Sequence, residues 1–112
     1  MSPIISLHTL AGVLFGGDYR IMNVSGHIRG QKVHILIDSG STHNFINIDT
    51  VERLEYDVLI IALIALVVPN RNIIHCNKGF AGLKWKMQGW EFQADLLVLP
   101  LDDCQMVLGI QC

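Results

Sequence analysis

The sequence predicts a mainly β domain with one or two short helices. Three observations carry this. Apolar residues alternate with polar ones over much of the chain, β-branched residues crowd its longest apolar run, and glycine or proline punctuates the segments at short intervals. With 112 residues, 51% of them hydrophobic and 16% charged, there is material for one small packed domain rather than two.

Residues 1–18 close on the turn signal Gly16-Gly17-Asp18 and read as a leader or linker, with the domain proper at 19–112. Met22, Val24 and Ile28 then alternate with polar neighbours, and Val33, Ile35 and Ile37 repeat the pattern after Arg29-Gly30-Gln31, which predicts a hairpin ending at Asp38. The small, polar run Ser39-Gly40-Ser41-Thr42-His43-Asn44 is a loop. Phe45, Ile46 and Ile48 return to the core, and Asp49 or Thr50 is placed to cap a helix of one or two turns through Val51-Glu52-Arg53-Leu54.

The run from Val58 to Val68 reads as core strand, single or bent, and is well short of the ~20 residues that span a bilayer. It ends at the turn Pro69-Asn70-Arg71-Asn72, after which Ile73, Ile74 and Cys76 resume a strand, giving a hairpin with an exposed tip. Leu83, Trp85 and Met87 next alternate with Lys84, Lys86 and Gln88, and Gly89 turns the chain into Trp90, Phe92, Ala94 and Leu96. The aromatics of this hairpin read as core or dimer contacts, and the two lysines as a solvated edge that discourages strand pairing. Leu96–Leu99 is a buried strand stopped by Pro100, Asp102-Asp103 is a turn, and Met106–Ile110 is the last strand.

Eight basic against ten acidic residues give a formal charge of −2, which disfavours binding to nucleic acid or to an anionic membrane surface. Cys76, Cys104 and Cys112 are odd in number and widely spaced, as suits free thiols in a reducing, intracellular compartment, with the cytoplasm expected. His8, His27, His34, His43 and His75 show no metal-ligand spacing, and no metal site is expected.

The residue with chemical promise is Asp38, a carboxylate at the end of an apolar strand and followed at once by Ser39 and Gly40. Two readings stay open on local physics. Either something uses the charge, since a carboxylate is expensive beside a core, or Asp38 caps its own loop by accepting the amides of Gly40 and Ser41. Gly40 permits close backbone approach, and Ser39, Ser41 and Thr42 offer hydroxyls to a carboxylate.

The context of the tripeptide is more specific. Ile35-Leu36-Ile37-Asp38-Ser39-Gly40-Ser41-Thr42-His43-Asn44-Phe45-Ile46, the hairpin from Gly82 to Leu101, and Met106-Val107-Leu108-Gly109-Ile110-Gln111 together resemble the retropepsin family. More narrowly, they resemble the protease segment of plant gypsy-type long-terminal-repeat retrotransposon polyproteins. The resemblance implies a small closed β-barrel of the retroviral-type aspartic protease fold. It implies Asp38 as the catalytic aspartate, with Ser39 bonding across a dimer axis and Gly40 next to the substrate backbone within the loop Ser39–Thr42.

On the same resemblance Leu108 and Gly109 support that loop, and Pro69, Asn70 and Arg71 form the flap that covers substrate. Pro69 and Arg71 differ from the flexible tip of relatives, and the family runs on past the segment that ends here at Cys112, so a C-terminally truncated domain is expected. The implied activity is peptide-bond hydrolysis in retroelement polyprotein processing, by an aspartate pair formed across a homodimer, on a polypeptide substrate and without a cofactor. The alternative is a catalytically inactive, retropepsin-like remnant or dimerisation module.

Overall fold

The computed structural model describes residues 21–41, 43–67, 73–101 and 104–109. The leader, Thr42, the tip Pro69-Asn70-Arg71, the Asp102-Asp103 turn and the last three residues lie outside them. The elements run β1 (Ile21–Ile28), β2 (Gln31–Asp38), β3 (Phe45–Asn47), α1 (Ile48–Arg53), β4 (Leu59–Val67), β5 (Ile73–Met87), β6 (Trp90–Leu99) and β7 (Met106–Gly109).

The strands form one sheet in the order β1-β2-β7-β3-β6-β5-β4, and β1 also meets β5. The sheet therefore curls into a ring of six strands, with β4 outside it on β5. The ring closes through two residue pairs, Gly26 with Met87 and His27 with Lys86. Two tight hairpins build its walls. Arg29-Gly30 joins β1 to β2 and Gln88-Gly89 joins β5 to β6, and all four residues have positive φ. Such two-residue turns match the twist of the strands they connect. Between the hairpins run two parallel pairings, β2 with β7 and β3 with β6, and the short β3 and β7 are antiparallel to each other.

Alternation explains the core. Val33, Ile35 and Ile37 point inward from β2, and Leu83, Trp85 and Met87 point inward from β5. Trp85 lies directly opposite Phe92 in the β5–β6 register, and their rings stack at 5.7 Å. Lys84 and Lys86 take the outer face. Lys86 is not on a free edge, because strands flank it on both sides, Glu91 of β6 and His27 of β1.

Three further expectations are corrected. The helix starts earlier, at Ile48, and its cap is Asn47, whose side chain accepts the Asp49 N–H at 3.2 Å. Asn47 also donates to Leu101 O at 2.9 Å, so one buried amide fixes both the helix start and the chain beyond β6.

Second, the apolar run is one strand, β4, with an irregularity between Ile60 and Ile64, but it is not core: Ile60 is 74% exposed and Leu63 66%. At the end of the sheet order its only strand neighbour among the described residues is β5, and among those residues most of its side chains find no covering layer. Leu66 alone of the strand's described side chains is buried. Third, the segments at Ile73–Cys76 and Leu83–Met87 belong to a single 15-residue strand. Its register shifts between Phe80 and Leu83, where Gly82 has φ +66° and donates to Asp95 Oδ1 at 2.8 Å.

Phe92→Ala removes a fully buried ring from the stack on Trp85 and is expected to destabilise the domain by roughly 3–5 kcal/mol in urea unfolding. A loss below about 1 kcal/mol would mean that the ring interior is not the packed core described.

Candidate active site

β2 carries Asp38 from the ring interior to its rim. Its buried neighbours Ile35 and Ile37 anchor the strand, and Asp38, half-buried, pairs with Ile21 of β1 on one side and Gly109 of β7 on the other. The chain then turns sharply. The Ser41 N–H donates to the main-chain oxygen of Asp38 at 3.1 Å, and the Gly40 N–H donates to Asp38 Oδ1 at 3.0 Å. The loop cap is therefore formed by the Gly40 amide on Oδ1, whereas the Ser41 amide goes to the main-chain oxygen instead of the carboxylate.

Beyond the turn the loop lies directly against β7. A Cβ at Gly109 would stand 2.5 Å from Ser41 O and 2.6 Å from His43 O, so only a glycine lets the two main chains cross this closely. The Gly109 N–H donates to Asn44 Oδ1 at 2.9 Å, and Asn44 O accepts the Leu97 N–H at 2.8 Å. The Ser41 hydroxyl donates to His43 O at 2.9 Å, tightening the same bend. Leu108, just before the crossing, is fully buried.

The structure thus brings Asp38, Ser39, Gly40, Ser41 and Gly109 together at one rim of the ring. Thr42 and the expected flap, Pro69, Asn70 and Arg71, lie outside the described residues, and only the hairpin arms β4 and β5 are placed. Sequence reasoning passed over Asn44, which ties the loop to both β7 and β6, and Gln105, whose main chain bonds His34 O and the Asn47 N–H. The available signal was an amide side chain placed just before an apolar strand. Its partners, Gly109 and Leu97, are distant in sequence.

A cleft of about 440 Å³ adjoins the loop, bordered by His43 and Asn44, by Leu59 and Ile61 of β4, and by Phe80 and Leu97. Its walls are mainly apolar. A larger cavity lies away from the loop, between β1 and β5. Among the described residues no group of three or more His, Cys, Asp or Glu could hold a metal ion, and no helix is long and apolar enough to cross a membrane.

Ring, crossing and loop define a retroviral protease-like fold. Solved structures share it: the retroviral protease-like domain of Ddi1 from Leishmania major aligns with TM-score 0.57 and 16% identity, over 82% of this chain and 74% of that one. The foamy viral protease-reverse transcriptase, solved in complex with an RNA/DNA hybrid, aligns with TM-score 0.57 and 12% identity, over 80% of this chain. The present chain spans only 11% of that protein's length. At these identities the likeness is one of fold. The family follows from the sequence model for retroviral aspartyl proteases, which matches residues 20–112: the chain belongs to that family. Nothing among curated proteins matches it.

Gly109→Ala is expected to push the 41–43 loop off β7, lowering stability by roughly 1–3 kcal/mol and shifting the amide resonances of Ser41, His43 and Asn44. An alanine variant with wild-type stability and spectrum would show that the crossing is looser than described.

Proposed function

We propose that the chain is one subunit of an aspartic endopeptidase, with Asp38 from each of two copies forming the catalytic pair. The observation that carries this reading is where Asp38 sits, at the rim end of a buried strand and on a loop locked over Gly109, in a chain of the retroviral aspartyl protease family. The chemistry requires a second carboxylate. Among the described residues Asp49 lies in α1, Asp57 is exposed ahead of β4, and Asp95 is bonded to Gly82, while Asp18, Asp102 and Asp103 fall in turn sequences, so a second copy of Asp38 is the natural partner.

Two carboxyl groups brought this close share one proton, because mutual repulsion disfavours ionising both. The ionised member takes a proton from water, whose oxygen attacks the peptide carbonyl carbon while the protonated member gives its proton to the carbonyl oxygen. Collapse of the tetrahedral species breaks the C–N bond as the amine takes the proton held by one member, and a hydroxyl of the species returns its proton to the other, so that the pair again shares one. In this scheme Ser39 bonds across the dimer axis, Gly40 adjoins the substrate main chain, Ser41 and Thr42 complete the loop, and Leu108 and Gly109 back it. Pro69, Asn70 and Arg71, at the tip of the β4–β5 hairpin, close over the substrate. No metal or organic cofactor takes part.

The likeness to gypsy-type retrotransposon segments supports polyprotein processing inside the cell as the setting, as does the foamy viral structure, in which a protease is joined to a reverse transcriptase. A non-catalytic dimerisation module is the second reading. The bond from Gly40 to Asp38 Oδ1 favours it, because the carboxylate there serves its own loop.

The two readings separate on Asp38→Asn, whose side-chain oxygen still accepts the Gly40 amide. For the protease, cleavage of an apolar peptide, blocked in the wild type by a statine-type mimic, falls at least ~100-fold, and unfolding free energy changes by less than ~1 kcal/mol. Equal cleavage by both versions would sink the protease reading, and no cleavage by either would support the module.

Activity per chain is also expected to fall on dilution, as dimers dissociate. Its pH profile should be bell-shaped on the acid side, because full protonation removes the base and full ionisation removes the acid. A rate strictly proportional to protein concentration under dissociating dilution would contradict a shared site.

A further inference from the structure

A slot of about 760 Å³ opens between β1 and β5, away from Asp38. It exists because the ring is closed by two pairs only. Past His27 and Lys86, β1 ends at Ile28 and turns away through Arg29-Gly30. β6 occupies one edge of β5, while β4 reaches the other edge only as far as Gly79. From Phe80 to Trp85, therefore, no strand of the described residues lies beside that second edge of β5, and this stretch forms a wall of the slot.

The main chain there is directed at the slot. Lys86 O faces β1, since it lies 2.7 Å from where a Cβ at Gly26 would stand. Backbone groups alternate sides along an antiparallel strand, so the N–H and C=O of Lys84 face the same way, into the slot, where no strand of the described residues meets them. The Gly82 N–H is withdrawn to Asp95. What remains is a short edge, unpaired among the described residues, with a main-chain donor and acceptor, the element to which an extended peptide adds as a strand.

The surrounding side chains select the peptide. His27, Arg29, Lys84 and Lys86 line the slot against a single acid, Glu91, in a chain whose net charge is −2. Lysines beside an open edge repel a second copy of the same edge and attract an acidic strand. The walls also include Tyr56, with the Arg29 guanidinium 4.0 Å above its ring, and Trp85, whose buried indole N–H has no acceptor among the described residues.

We propose that this slot is a docking site for an extended acidic segment of a partner protein, which pairs with β5 at Lys84. The inference does not depend on the role of Asp38. It is tested on the whole chain, isotope-labelled, with a short capped peptide of alternating glutamate and valine as probe. Saturable binding is expected, with amide shifts centred on Gly82 to Lys86 and slowed exchange of the Lys84 amide.

Reversing charge with Lys84→Glu and Lys86→Glu is expected to weaken binding by about tenfold. Lys84→Pro should abolish it, because it deletes the slot-facing N–H and leaves the bonds to β6 in place. If the proline variant fails to fold, the charge reversal decides alone. The proposal is overturned by shifts centred on the 38–44 loop, by equal binding of a lysine-valine peptide, or by undiminished affinity in the charge-reversed variant.

Discussion

The contact on which the rest of the site depends is the crossing of two main chains, Ser41 and His43 over Gly109. Each chain alone is ordinary, a polar loop and a short strand. Their approach is possible only because no Cβ stands between them, and it is held by the Gly109 N–H on Asn44 and by the bond from Leu97 to Asn44. The crossing fixes where the loop leaves β2, and so where the Asp38 carboxylate stands. A charged group this close to a core tolerates little drift, since each displacement changes its exposure to water and its hydrogen bonds.

The ring around the crossing gains rigidity unevenly. β2, β6 and β7 bury alternate residues toward one interior, and the stacked pair Trp85–Phe92 fills it. The β4–β5 hairpin projects beyond the ring and leaves Ile60 and Leu63 in water. A hairpin with few buried side chains is held mainly by its ladder and belongs to the low-stability end of a domain, where moving parts are found. The seam at β1 and β5 is the other weak place, closed by two residue pairs. Projecting hairpin and open seam thus both follow from one fact, that six strands of unequal length close a ring without pairing along their full lengths.

Of the two local readings of Asp38, the loop cap is the one the structure shows. The loop cap is real, made by the Gly40 amide on one oxygen. A cap of this kind also holds a carboxylate in a fixed orientation, so it is compatible with chemical use of the other oxygen.

Much of this was legible in the sequence. Period-two alternation marked β1, β2, β5 and β6, and Gly30 and Gly89 marked their turns, because side-chain direction in a strand is a local property. Asp38 and its loop stood out for the same reason, as an abrupt change from apolar to polar. What alternation does not encode is which strand lies beside which. The exposure of β4, the joining of two segments into β5, and the choice of Asn47 over Asp49 or Thr50 as cap were settled by neighbours distant along the chain. The sequence by itself determined the strands and the aspartate, which rest on contacts between near residues. The tertiary structure decided that Gly109 and Asn44 hold the loop and that a slot opens beside Lys84, because both arise where segments far apart in sequence pack together.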